Sequence, residues 1–224
     1  MNTKYKYIVL DTETTGVDTR LDEILQLSII DQDGNVLFDE YFRPIAKSWN
    51  ESMRINHITP AMVKNKKPIT EYAKQIEEIL EQALLIVGYN IEFDLAMLKR
   101  EKISVPNTKR FDVMRKFAPI FGDYNEYHGD YTWQKLATAA RYYKYDWSSH
   151  SSDAHNALAD CYATQHVYLS MLSDYNKSLD ESRNKAEKIQ QEIQEQNDSV
   201  KVKFIVGFAL VLVAIIIAIK GCSM

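Results

Sequence analysis

Cysteine is nearly absent from this 224-residue chain, which holds only two, Cys161 and Cys222. They lie far apart in unlike surroundings, so no disulfide framework is expected and a reducing compartment is the default. No Cys/His cluster has zinc-ligand spacing. Nor is there an excess of positive charge: 27 Lys and Arg stand against 31 Asp and Glu, for a net charge of -4 and a pI near 5.8. That excludes a protein that coats nucleic acid through a global basic field, but not an enzyme whose acidic site binds metal. The opening "MNTKYKYIVLD" lacks the apolar stretch of a secretory signal. Internal repeats and low-complexity tracts are also missing. With 46% hydrophobic residues, the chain can bury one ordinary core and carry additional segments.

The apolar residues mark out an α/β domain. "YKYIVL", "ILQLSIID" (24–31) and "NVLFDEYFRP" (35–44) read as strands, the last two joined at the turn Asp33-Gly34. "TEYAKQIEEILEQA" (70–83) has helical spacing, with Ile76, Ile79, Leu80 and Ala83 on one face. "LLIVGYN" reads as a short buried strand, and "IEFDLAMLKRE" (91–101) as a helix with Asn90 as N-cap. "RFDVM" reads as a strand, and 132–143 and 152–172 as helices. A hairpin followed by alternating helices and strands predicts a mixed sheet covered by helices.

Beyond the domain the composition changes. Residues 173–203 are polar, with seven acidic and six basic side chains and neither proline nor glycine. Leu179, Ala186, Ile193 and Val200 recur every seven residues, but the companion positions Ser182, Ile189 and Gln196 are mostly polar. A solvated helical stalk is preferred over a coiled coil, with a weak homodimer as the minor alternative. "FIVGFALVLVAIIIAI" (204–219) is uncharged and bracketed by Lys201, Lys203 and Lys220. As a helix it would span ~24 Å, which snorkelling lysines extend toward a ~30 Å hydrocarbon core. A buried core helix is the bland reading. All-round apolarity and the lysine brackets favour a C-terminal membrane anchor, with the large N-terminal part facing the cytoplasm. Cys222 stands third from the end, so the prenylation pattern is not met. The expected parts are a domain over 1–173, a stalk over 174–203, a transmembrane helix over 204–219 and a short tail over 220–224.

Chemistry concentrates in three places. "LDTETTGVD" follows the first strand and puts Asp11 and Glu13 on one face, ~6.6 Å apart along the chain. Two carboxylates so placed can grip divalent cations, and the ends of central strands are where α/β sheets place their sites. Thr14, Thr15 and Gly16 follow, a turn in which backbone N–H groups can approach an anion. Asp94 falls in the first turn of a helix, where an acid is also ordinary dipole chemistry. In "SSDAHNALADC", His155 and Asp160 would stand ~140° apart on a regular helix. They can share a site only if His155 lies at the helix entrance, with Ser151, Ser152 and Asp153 as caps. Four acids and a histidine suit phosphodiester hydrolysis, in which two metal ions ~3.5–4 Å apart activate water and stabilise the leaving oxygen. Magnesium prefers such hard oxygens, and a histidine of ordinary pKa, ~6.5, can take a proton near neutral pH.

"DTETTG", "GYNIEFD" and "HNALADCYAT", in that order, resemble the motifs of the DEDDh exonucleases, the superfamily of the proofreading subunit of bacterial replicative polymerases. "RINHIT" and "TWQKLA" are similar to that family's intermediate motifs, and the resemblance runs from about Tyr5 to Leu172. It implies an RNase H-like fold, and two Mg2+ or Mn2+ ions held by Asp11, Glu13, Asp94 and Asp160, with His155 as general base. Thr14 and Thr15 would contact the terminal nucleotide, Asn90 would help position substrate, and His57, in an "HGIT"-like element lacking its glycine, would support it. The implied reaction is 3'→5' release of nucleoside monophosphates from single-stranded 3' ends, DNA ahead of RNA. The alternatives are an exoribonuclease and a catalytically idle module that holds nucleic-acid ends or a partner at a membrane. The aromatic stretches "IFGDYNEYHGDYTW" and "RYYKYDW" read either as a base-stacking platform or, preferred, as tyrosines half-buried on a surface helix. His128 and His150 are read as solvated, and Cys161 as a small core residue.

Overall fold

The computed structural model describes residues 4–150 and 156–221, without the side chains at 149, 150, 197–200, 202, 204 and 211–221. Two compact units are present, Met1–Met171 and Leu172–Met224. The first is built on a five-stranded sheet of β1 (Ile8–Thr14), β2 (Ile24–Asp31), β3 (Val36–Tyr41), β4 (Leu85–Gly88) and β5 (Lys109–Asp112), in the order β3-β2-β1-β4-β5. β1, β2 and β3 pair antiparallel, while β4 and β5 run parallel to β1. The mixed sheet flanked by helices is the expected one.

Helices α1 (Asn50–Asn56), α2 (Pro60–Val63) and α3 (Ala73–Glu81) connect β3 to β4, α4 (Ile91–Arg100) connects β4 to β5, and α5 (Val113–Phe121) follows β5. A small hairpin, β6 (Tyr124–Asn125) and β7 (Asp130–Tyr131), then leads to α6 (Leu136–Tyr142) and to α7 (Ala157–Gly221). β2 is buried along its whole length, as a strand covered on both faces must be. Its polar members Gln26 and Ser28 both donate to the Asp39 carboxylate, which keeps them satisfied inside. The turn from β2 to β3 has Gly34 at φ +82, the left-handed conformation that only glycine adopts freely. Asp31 accepts the N–H groups of Asp33 and Asn35 and closes that turn.

One mismatch of strand length sets up the site. β1 pairs with β4 only at Ile8 and Val9, so its last five residues have no neighbouring strand on that side. β4 stops at Gly88 because the chain must turn into α4. A Cβ on Gly88 would lie 2.6 Å from Ile91 Cδ1 and 3.0 Å from its Cβ, so the close helix–strand approach requires glycine.

Several elements differ from those expected. "RFDVM" is a strand only to Asp112, whose carboxylate accepts the Arg115 N–H and starts α5. The stretch before Trp133 forms the β6–β7 hairpin, not a helix. α7 begins at Ala157 behind Asn156, whose Oδ1 accepts from the Leu158 and Ala159 N–H groups. Asn156 is thus the cap, and the expected caps Ser151, Ser152 and Asp153 lie outside the described residues. In the second unit, side chains 173–196 are all exposed on the helix, including Leu179 and Ile193. Among the described residues no helix is long and apolar enough to cross a membrane. The span expected over 204–219 is not found there, and only its side chains 205–210 are described.

Candidate active site

The strand alternation places Asp11 and Glu13 on one face of β1, half-buried, while Thr12 and Thr14 are buried on the other. Asp160 enters from the first turn of α7. Asp11, Glu13 and Asp160 each bring a carboxylate oxygen within 4.8 Å of the others. Asp94 stands beside them from the first turn of α4, almost wholly buried. Where β4 has ended, the unpaired Thr12 N–H donates to Asp94 Oδ1 at 3.0 Å, and the Thr12 hydroxyl donates to the same oxygen at 2.7 Å. Asp94 therefore completes the edge of β1 in place of a strand. Of the four expected acids, three converge at single-ion spacing and the fourth is anchored next to them.

The electrostatics are those of a site that wants a cation. Burial raises the Asp11 pKa well above the ordinary carboxylate range, reinforced by Asp94, Asp160 and Glu13. Burial likewise pushes Glu13 up to about 8, with Asp160 adding to the shift and a hydrogen bond from Asn56 opposing it. Asp94 rises to about 7, mainly through burial, although the two Thr12 bonds pull it back. Among the described residues no ion pair involves Asp11, Glu13 or Asp94. Carboxylates that are buried together and repel one another either hold protons or hold a cation. All donors are hard oxygens, as a divalent cation of the magnesium type requires. The nearby Cys161 thiol is fully buried and directed at the Val9 and Ser28 carbonyls, so it is no ligand.

The other expected residues have these positions. Thr14 donates its hydroxyl to the Gly16 carbonyl at 2.6 Å. Thr15 donates to Asp22 Oδ1 at 2.9 Å and accepts the Glu23 N–H. Gly16 abuts the Asp22 carboxylate so closely that a Cβ would collide with it. The anion cradled by this turn is thus the chain's own Asp22, which also accepts the Asp18 N–H. Asn90 occupies the N-cap position of α4 in a left-handed conformation (φ 67), but its side chain makes no cap bond. Its backbone N–H instead donates to Asp112 Oδ1 at 3.3 Å. His155 lies outside the described residues.

His57 is displaced by one position from the site. It is exposed, at the C-terminus of α1 with φ 57, where its backbone N–H bonds the Met53 carbonyl. Glycine favours that conformation, so His57 stands at the glycine of the "HGIT"-like element and Asn56 at its histidine. Asn56 is buried, donates to the Thr14 carbonyl at 3.2 Å and hydrogen-bonds Glu13. Its Oδ1 accepts the Ile58 N–H at 3.1 Å. Asn56 and Thr12 are the residues of the candidate site that sequence reasoning missed. The signal for Asn56 was its place beside His57, and Thr12 was the silent centre of "DTE".

Residues 8–168 match the RNase T exonuclease family, and the chain belongs to that family, within the DEDD exonucleases of the RNase H-like superfamily. Among similar proteins, the PolC-type DNA polymerase III of Thermotoga maritima is 34% identical over 96 residues, 42% of this chain and 7% of that polymerase. The PolC-type polymerase of Pediococcus pentosaceus is 26% identical over 179 residues, 75% of this chain and 11% of that one. The chain thus spans only a small part of these relatives. Among solved structures, Exonuclease X in complex with 5'-overhanging duplex DNA superimposes with a TM-score of 0.58 at 20% identity, covering 75% of this chain and 92% of that one. Exonuclease I of E. coli in complex with a dA16 oligonucleotide gives 0.55 at 22% identity, covering 72% and 39%. At these identities the structural likeness establishes the shared fold.

Proposed function

We propose that this protein is a metal-dependent 3'→5' exonuclease that releases nucleoside 5'-monophosphates from DNA. The observation that carries the reading is the convergence of Asp11, Glu13 and Asp160 within 4.8 Å, with Asp94 pinned beside them by Thr12. Asp11, Glu13, Asp94 and Asp160 would hold two Mg2+ ions, or Mn2+ in their place. When bound, the cations supply charge neutralisation at the phosphodiester and a lowered pKa for the attacking water. Asn56 and Thr12 orient Glu13 and Asp94, and His155, two residues before α7, takes the water's proton as general base. Thr14, Thr15 and Asn90 line the approach of the terminal nucleotide, the first two through the turn that their hydroxyls brace. DNA is placed ahead of RNA because the relatives named above are DNA polymerases, and because the superimposed exonucleases were captured with DNA.

The apolar segment 204–219 and its flanking lysines support a second part of the proposal, tethering to a membrane with the nuclease domain in the cytoplasm. The heptad Leu179, Ala186, Ile193 and Val200 supports, more weakly, a homodimer through the stalk.

The test uses the purified full chain on single-stranded DNA labelled at the 5' end, with a matched RNA strand alongside. With Mg2+ or Mn2+ the DNA should shorten from its 3' end one nucleotide at a time and faster than the RNA, and EDTA should stop it. Asp160→Asn should lower the rate by two orders of magnitude or more, about what loss of a key catalytic group costs. Undiminished hydrolysis by Asp160→Asn, or none by the unsubstituted chain, overturns the reading.

A further inference from the structure

Trp133, two residues past β7, is a large aromatic side chain that remains 53% exposed. Arg115, from the first turn of α5, sits over it with the guanidinium carbon 5.1 Å from a ring centroid. Arg115 also pairs with Asp112, Nε to Oδ2 at 3.5 Å, yet its side chain stays 55% exposed. The cation is therefore oriented from two sides and still open to solvent.

Both members of this pair are fastened to the carboxylate site. The Tyr89 hydroxyl donates to the Gln134 carbonyl, next to Trp133, at 2.7 Å. The Asn90 N–H donates to Asp112, the ion-pair partner of Arg115. Tyr89 and Asn90 are the two residues that link β4 to α4, the helix that carries Asp94. So the backbone next to Trp133 and the ion-pair partner of Arg115 are both bonded to the short segment that leads into the helix of Asp94.

Charge selects the occupant. The turn of the neighbouring hairpin carries Glu126 beside Tyr127, both exposed, and a like-charged phosphate chain is repelled there. At the Trp133–Arg115 pair the exposed Lys116 and Lys135 add positive charge to that of Arg115, beside Asp112, which pairs with Arg115, and Asp123, which accepts from Gln134. A base needs a flat apolar face, and the phosphate beside it needs a positive donor. We propose that Trp133 and Arg115 form the subsite for the single strand just upstream of the 3'-terminal nucleotide, the indole stacking on a base and the guanidinium meeting a phosphate. The proposal rests on the nuclease reading above and adds the path of the strand.

Two substrates separate the subsite from the chemistry. The p-nitrophenyl ester of thymidine 5'-monophosphate reaches only the terminal position, whereas a short oligothymidylate extends upstream. With full chain and Mg2+, Trp133→Ala should lower the oligonucleotide-to-ester ratio of kcat/KM by about tenfold, chiefly through KM. Trp133→Phe, which keeps an aromatic face, should restore most of it. In EDTA, Arg115→Gln should make the plot of log Kd against log salt shallower by about 0.7, the share of one single-strand phosphate contact. An unchanged ratio in Trp133→Ala, an equal fall on both substrates, or an unchanged salt slope overturns the subsite. If the unsubstituted chain hydrolyses neither substrate, the nuclease reading fails on its own. The affinities in EDTA then still decide the subsite. Should Trp133→Ala not fold, Trp133→Phe and Arg115→Gln carry the test.

Discussion

At the scale of single residues, the clustered carboxylates are held by neighbours that are not themselves acidic. Asn56 ties Glu13 to the backbone of Thr14, and supports of that kind commonly contribute 10–100-fold to metal affinity or activity. Asn56→Ala should therefore raise the Mg2+ concentration giving half-maximal hydrolysis by about tenfold or more. A metal titration of both proteins checks it. The raised carboxyl pKa values also set the pH dependence of folding. Glu13 moves from 4.5 to about 8 and Asp94 from 3.8 to about 7, in each case chiefly through burial. Between those limits the folded state binds more protons than the unfolded chain, so stability falls as pH rises. The stabilisation by these protons is complete below the unfolded pKa values and gone above about 8. Metal-free protein should melt at progressively lower temperature from pH 5 to pH 9. Added Mg2+ should raise the melting temperature more at pH 8.5 than at pH 6, because binding to ionised carboxylates needs no proton release. Thermal melts with and without Mg2+ at these pH values test both statements.

At the scale of elements, the contest between strand and helix at β4 decides where Asp94 lies. A longer β4 would pair Thr12 with backbone; its early stop at Gly88 leaves that N–H for a carboxylate. Gly88→Ala forces a methyl against Ile91 and must shift the start of α4. We expect a loss of about 1–3 kcal/mol in urea unfolding, the usual cost of overpacking. The displaced Asp94 should lower hydrolysis more than that stability loss accounts for. The helix–strand alternation here was readable because apolar spacing is strong in Ile76, Ile79 and Leu80, all buried on α3. α5 escaped because its signals were local: Asp112 at its start and the left-handed Gly122 at its end bracket a segment that also contains Pro119. The β6–β7 hairpin escaped because two-residue strands carry no usable alternation.

At the scale of the whole molecule, the nuclease unit and the helix beyond it have separate logic. The first unit buries a full core, including Ile8, Leu10, Leu27, Ile76, Leu80 and Leu98. The second exposes its side chains over 173–196, so nothing in its own fold requires them. If the terminal apolar segment anchors the chain, full-length protein should stay with the membrane pellet after an alkaline carbonate wash, and a chain ending before residue 204 should not. Release of the full-length protein by that wash sinks the anchor.

The amino-acid order alone determined the class of fold and the identity of the acidic groups. The class of fold follows from periodicity, and the set of acidic groups from motifs that resemble those of the DEDDh exonucleases. It also placed Asp11 and Glu13 on one face, since alternation along a strand is a local rule. What only the tertiary structure decided is nonlocal: that Asp160 meets them, that Asp94 replaces a missing strand, and that Asn56, not His57, reaches Glu13. Those contacts join segments from 42 to well over a hundred positions apart, and only the packed core sets such distances.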